Sequence, residues 1–121
     1  MTETAGMLAG RRVLLVEDEY FIVDDMVRSF EAGGALVVGP VASVDEALDL
    51  IESGEHLDGA VLDVNLQGEM AYPVADALAA RGVPFVFATG YDDASIPARY
   101  ARVTRYQKPV DPDKIGKALF G

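Results

Sequence analysis

The sequence predicts an α/β fold, a doubly wound five-stranded parallel sheet with helices on both faces. Three observations predict it. Strand-like apolar segments alternate with helix-periodic segments about five times along the chain, and no hairpin signal joins neighbouring strands. The strands, such as Val13-Leu14-Leu15-Val16 and Phe85-Val86-Phe87, are apolar at successive positions, as strands covered on both faces are. Right-handed crossovers then wind the helices onto both sides of the sheet.

Residues 1–10 are small and polar and read as a loose lead-in. Arg12 to Val16 is the first strand, stopped by Glu17-Asp18-Glu19. Ile22, Met26 and Phe30 follow at a spacing of four, with Val23 and Val27 widening the stripe, and Gly33-Gly34 ends that helix. Ala35 to Val41 is the second strand. Ser43 with Glu46 forms a capping box ahead of Val44, Ala47, Leu48 and Ile51, and Gly54 closes the helix. Gly59 to Val64 is the third strand, ending on Asp63-Val64-Asn65. Pro73 suits the first turn of a helix carrying Val74, Ala77 and Leu78 and stopped by Gly82. Pro84 to Ala88 is the fourth strand, followed by Thr89-Gly90-Tyr91. Pro97 would fall inside any helix over Asp92 to Val103, so a short or irregular one is expected there. Thr104 to Gln107 is a short fifth strand, and Asp111-Pro112 caps and starts a last helix bearing Ile115 and Leu119.

The 121 residues fit one domain, with 50% hydrophobic and 25% charged residues, an ordinary globular balance. No apolar run is long enough to cross a bilayer, and Met1 to Gly10 lacks the features of a signal peptide. The absence of cysteine excludes disulfides and thiolate metal sites, and together these features suggest a soluble, cytoplasmic protein. The net charge of −10, from 20 acidic against 10 basic residues, argues against a nucleic-acid partner.

In a doubly wound sheet ligands sit at the carboxyl ends of the strands. Those ends carry Glu17 and Asp18, then Asp63, then Thr89, then Lys108. An Asp after a strand often only caps a turn, and a lone Thr or Lys there means little. The combination is different, because the fold gathers these residues at one edge. Clustered carboxylates repel unless one is protonated or a cation lies between them. Hard oxygen ligands with room for water suit Mg²⁺. Lys108 adds a fixed positive charge, while Thr89 adds a hydroxyl and, with Gly90, backbone N–H groups. This is the inventory of phosphoryl transfer, in which a carboxylate can form an acyl phosphate and neutralising groups cradle the moving charge. The only histidine, His56, lies in an expected surface loop and is assigned no chemical role, so no Ser/His/Asp triad is available.

In this order and at these strand ends, the acidic pair, the Asp, the Thr and the Lys108-Pro109 step resemble the receiver domains of two-component response regulators. The resemblance runs from about Arg12 to Phe120 and makes residues 11–121 the receiver domain. It also supplies the flavodoxin-like strand order 2-1-3-4-5. It implies that Asp63 is the phosphoacceptor, Asp18 a direct Mg²⁺ ligand, Glu17 a ligand through water, and the backbone carbonyl of Asn65 a further ligand. Thr89 and Lys108 would contact the phosphoryl oxygens, and Tyr106 would be the aromatic switch residue. The donor would be a sensor histidine kinase or a histidine phosphotransfer protein, and the recipient a downstream protein partner or phosphotransferase. The chain would be a monomer or weak homodimer, and no enzyme beyond its own phosphorylation and dephosphorylation.

The run Phe85-Val86-Phe87-Ala88-Thr89-Gly90-Tyr91 resembles, more narrowly, a Phe-Ala-Thr-Gly-Tyr subgroup of alphaproteobacterial receivers that often stand alone. With the last helix ending at the terminus, a stand-alone receiver is expected. Two departures concern the signalling surface. The Met-Pro that often follows the phosphoacceptor is replaced by Asn65-Leu66-Gln67, and Pro97 interrupts the fourth helix. Tyr106 is expected to fill space vacated when Thr89 moves inward; the alternative is a fixed aromatic on an edge strand. Tyr91 is expected over the pocket, shielding it from water. The functional alternative is a degenerate receiver acting as a phosphorylation-independent interaction module. A metal-dependent phosphatase would want an acid where Asn65 stands, and Glu17-Asp18-Glu19 would repel a nucleotide phosphate.

Overall fold

Alternating apolar runs and amphipathic stretches become strands and helices at nearly the expected places in the computed structural model, which describes residues 7–66, 68–89, 96–108 and 110–121. Gln67, Gly90, Tyr91 and Pro109, singled out above, lie outside the described residues, as do the first six residues of the lead-in.

The elements run β1 (Arg12–Val16), α1 (Tyr20–Ala32), β2 (Leu36–Val41), α2 (Val44–Glu52), β3 (Gly59–Asp63), β4 (Asn65–Leu66), β5 (Glu69–Met70), α3 (Tyr72–Ala80), β6 (Phe85–Thr89), a 3₁₀ turn (Ala98–Tyr100), β7 (Arg105–Gln107) and α4 (Pro112–Phe120). The main sheet has the order β2-β1-β3-β6-β7, and all its pairings are parallel. That is the expected order 2-1-3-4-5 in sheet-strand terms. β3 lies at its centre, and all five of its residues are buried.

Side-chain alternation divides the core into two layers. Leu14, Val16, Ala60, Leu62 and Phe87 face α2 and α3, meeting Ala47, Ile51, Val74 and Leu78. Val13, Leu15, Val61, Val86 and Ala88 face α1 and α4, meeting Met26, Phe30 and Ile115. Each strand residue therefore reads out its face by parity, a point that matters at Thr89 and Tyr106.

The caps behave largely as expected. The Ser43 hydroxyl accepts from the Glu46 N–H at 3.2 Å, and Asp111 accepts from the Asp113 N–H at 2.9 Å, with Pro112 in the first turn. Gly34 takes the left-handed φ of +91° that ends α1, with the Ala35 N–H closing on the Phe30 carbonyl at 3.0 Å.

Three features stand out, of which the second meets the expectation of a short, irregular helix and the other two differ from expectation. First, β4 and β5 pair antiparallel as a small ribbon after β3; segments of two residues are too short to show a period. Second, where a fourth helix was in question, the described residues carry only the 3₁₀ turn. Pro97 stands at its head, its fixed φ of −57° joined to an extended ψ of 148°. Tyr100 from this turn is buried against Phe87 and donates its hydroxyl to Asp76 on α3. Third, the lead-in is anchored from residue 7 onward. Leu8 is fully buried in the α1/α4 layer, and the Gly10 N–H donates to the Gly34 carbonyl at 2.9 Å. No helix among the described residues is long and apolar enough to cross a membrane.

Candidate functional site

The carboxyl ends of β1, β3, β6 and β7 converge at one edge of the sheet because parallel strands all end on the same side. Register brings Val16 beside Leu62 and Asp63 beside Ala88. Thr89 ends β6, and the Lys108 N–H donates to its carbonyl at 2.8 Å, tying the end of β7 to the end of β6.

Three charged side chains meet there out of water. Glu17 is 2% exposed and Asp63 5%, and the Lys108 side chain is 6% exposed. The Lys108 Nζ lies 2.7 Å from Glu17 Oε1 and 3.0 Å from Asp63 Oδ2. Glu17 is held in place by its own loop, since Oε2 accepts the N–H groups of Asp18 at 3.1 Å and Glu19 at 3.2 Å. Its other oxygen, Oε1, is buried and close to the ammonium but lacks hydrogen-bond alignment with it. Asp63 Oδ1 accepts from the Asn65 N–H at 3.3 Å.

Burial, and then the neighbouring Glu17 carboxylate, push the Asp63 carboxyl up to about 7 against the opposing pull of Lys108. Burial alone would lower Lys108, but its contacts with Glu17 and Asp63 outweigh that and hold it above the ordinary lysine value. The consequence for stability has a definite sign. An unfolded aspartate ionises near 3.9, so between about 4 and about 7 the folded metal-free chain keeps a proton that the unfolded chain has lost. The stability this proton contributes is present below about 4 and is lost as the pH rises through about 7. The urea midpoint of metal-free protein is therefore expected to fall between about pH 5.5 and about pH 8, and Asp63→Asn should flatten that slope. An equally steep slope in the variant would remove Asp63 as its source.

The donor set fits a hard divalent cation. Carboxylate oxygens of Glu17, Asp18, Glu19 and Asp63 lie within 4.8 Å of one another, and Glu17 Oε1 is a buried oxygen without an aligned donor. The Asn65 side chain accepts from the Gly68 N–H at 2.7 Å, so it is committed to the ribbon turn and the backbone remains for ligation.

Of the residues predicted from sequence, the structure brings Glu17, Asp18, Asp63 and Lys108 into one cluster, with Thr89 and Asn65 at its rim. It does not bring Tyr106 to Thr89. Tyr106 pairs with Ala88 and packs on the α1/α4 layer, its hydroxyl donating to the Lys114 carbonyl at 3.3 Å. Thr89, next after Ala88, points by parity to the other face. Tyr106 therefore does not flank the space that Thr89 would vacate, and the parity of β6 is the reason. His56 is exposed in its loop and lies 3.0 Å from Asp58, remote in sequence and strand end from the cluster. Sequence reasoning missed Glu19 as a site residue: its carboxylate belongs to the cluster and lies 3.3 Å from Lys108 Nζ. The run of three acids after β1 was the available signal.

Comparison with solved structures gives close matches over nearly the whole chain. The chain is 43% identical to SdrG from Sphingomonas melonis Fr1, with 93% of this chain and 94% of that chain covered and a TM-score of 0.78. It is 44% identical to the BeF3-activated conformation of SdrG from Pseudomonas melonis Fr1, covering 92% and 94%, with a TM-score of 0.74. A CheY-like response regulator receiver domain protein from Methanospirillum hungatei JF-1 is 28% identical over 92% of this chain and 94% of that chain, with a TM-score of 0.77. No family model and no curated protein sequence matches the chain.

Proposed function

Because the chain belongs to the response regulator receiver family, we propose that it accepts a phosphoryl group on Asp63 and uses the modification to change a protein-interaction surface. The observation that carries this reading is the buried meeting of Asp63, Glu17 and Lys108 at the strand ends. The BeF3-activated conformation of SdrG supports it, as an activated state of a similar chain.

The chain's own residues can perform the transfer. An ionised Asp63 oxygen attacks the phosphorus of a phosphohistidine, borne by a sensor histidine kinase or a histidine phosphotransfer protein. The new P–O bond forms as the P–N bond breaks, and the leaving imidazole takes up a proton. The Lys108 ammonium, already 3.0 Å from Asp63, and the Thr89 hydroxyl donate to the transferred oxygens. Glu17, Asp18, Asp63 and the Asn65 carbonyl would hold Mg²⁺, which when bound neutralises charge on the phosphoryl group and on this acidic cluster. The added charge and acceptor oxygens on Asp63 then act on Lys108 and Thr89 at the strand ends, and through them on the surface offered to a downstream partner or phosphotransferase.

The test is incubation with Mg²⁺ and a small phosphodonor such as acetyl phosphate, read by intact mass. One phosphoryl group is expected, and none when Mg²⁺ is chelated. An unlabelled chain in the presence of Mg²⁺ would instead leave a phosphorylation-independent interaction module. In parallel, Mg²⁺ at about 100 times its dissociation constant should stabilise the fold by ~2.7 kcal/mol. Asp18→Asn should lose both this gain and the labelling. A variant that keeps both would show that Asp18 is no ligand.

A further inference from the structure

We propose, resting on the phosphoacceptor reading above, that Glu19 is a positioning residue that holds the Lys108 ammonium and sets how readily Lys108 is released to a phosphoryl group. An ammonium has three N–H donors. The Lys108 Nζ has three carboxylate neighbours: Glu17 Oε1 at 2.7 Å, Asp63 Oδ2 at 3.0 Å and Glu19 Oε1 at 3.3 Å. Glu17 Oε1 is near without hydrogen-bond alignment, whereas Glu19 Oε1 takes a hydrogen bond, so a phosphoryl oxygen must crowd in among these carboxylates and one of them gives way.

The structure says which one. Asp63 stays, since it carries the acyl phosphate. Glu17 is buried and pinned by the two N–H groups of its own loop. Glu19 alone faces water, with 59% of its side chain exposed, so it can turn into solvent at little cost. A second observation points the same way. Glu19 occupies the N-cap position of α1 and its side chain makes no capping bond, so the helix end does not compete with Lys108 for its carboxylate. Its carboxylate is committed to Lys108 instead.

Glu19 therefore competes with the incoming phosphoryl oxygens for the same donor. Glu19→Gln removes the charge and keeps the shape. At saturating Mg²⁺ its labelling rate with acetyl phosphate is expected to rise about threefold, the range of an exposed ion pair. Mg²⁺ should still raise the melting temperature, at a concentration shifted by no more than about threefold, since Glu19 lies within the carboxylate cluster but acts on Lys108. In a Lys108→Gln background the same substitution should have no effect on rate. An equal rise in both backgrounds would mean general repulsion of the donor, and a lost Mg²⁺ response would mean a metal ligand; either overturns the proposal, as does an unchanged rate.

Should Lys108→Gln label too slowly to compare, NMR of the lysine ¹⁵Nζ decides. Water exchange at Lys108 should quicken in Glu19→Gln, and unchanged exchange overturns the tether. The two readings fail differently. An unlabelled wild-type chain sinks the phosphoacceptor function and this role with it, whereas a labelled wild type with an indifferent Glu19→Gln sinks only the role of Glu19.

Discussion

Asp63→Asn is expected to fold, to keep the strand order of the sheet, and to take no phosphoryl group from acetyl phosphate in the presence of Mg²⁺. Asp63 is the last residue of the central strand and is 5% exposed, with an oxygen 3.0 Å from Lys108 Nζ. Asparagine has nearly the same shape and keeps an oxygen for the Lys108 contact, so the cost to the fold is small. It lacks the anionic nucleophile, so the loss of transfer should be complete. Intact mass and peptide mapping read the result. Labelling of the variant at Asp18 or Glu17 would move the acceptor to another acid of the cluster. A variant that failed to fold would show as a lost melting transition and be kept apart from that outcome.

Lys108→Met is expected to produce the largest stability change. The ammonium is the only positive group among the described residues within ion-pair distance of Glu17 and Asp63, both almost wholly buried. Removing one partner of a buried pair typically costs ~3–5 kcal/mol, because the remaining charge is left without compensation. Asp63 already ionises with difficulty, at about 7, so it can shed its charge by binding a proton and limit the damage. A loss of ~2–3 kcal/mol is the reasonable expectation, or about 10 °C in melting temperature for a domain of this size. The loss should shrink at low pH, where Asp63 is neutral, and on adding Mg²⁺, which takes over the compensating charge. Thermal melts across pH, with and without Mg²⁺, measure all of this. An unchanged melting curve at neutral pH would mean that water, not Lys108, balances the carboxylates.

Much of this was legible in the chain. Val13 to Val16 and Phe85 to Phe87 have no polar face, and that alone demands a sheet covered on both sides. Met26 and Phe30 occur at helical spacing and are buried where that spacing points them. Asp63 stood out because a strand that is apolar up to that point ends abruptly in a charge, and Lys108 because it follows the last strand at the same edge of the sheet. Turn glycines and the caps at Ser43 and Asp111 marked the boundaries. These signals are local: each depends on residues within a few positions of one another.

What the local pattern could not carry was pairing between distant segments. Leu8 sits in the short Met7-Leu8-Ala9 run of the lead-in, and nothing near it in sequence reveals that the α1/α4 layer accepts it. Glu19 reads as the third acid of a solvated run until β7 delivers Lys108 to within 3.3 Å of it. Tyr106 reads as an aromatic near the site, yet it packs away from Thr89, because the register of β7 on β6 sets it beside Ala88 and neighbouring residues of a strand face opposite ways. The sequence by itself determined the layers, the strand ends and the chemical inventory at those ends, since hydrophobic period and turn chemistry are short-range. Only the tertiary structure decided which charge meets which and which face each side chain takes. Both depend on strand register between segments far apart in the chain, and a shift of one residue in register reverses every facing.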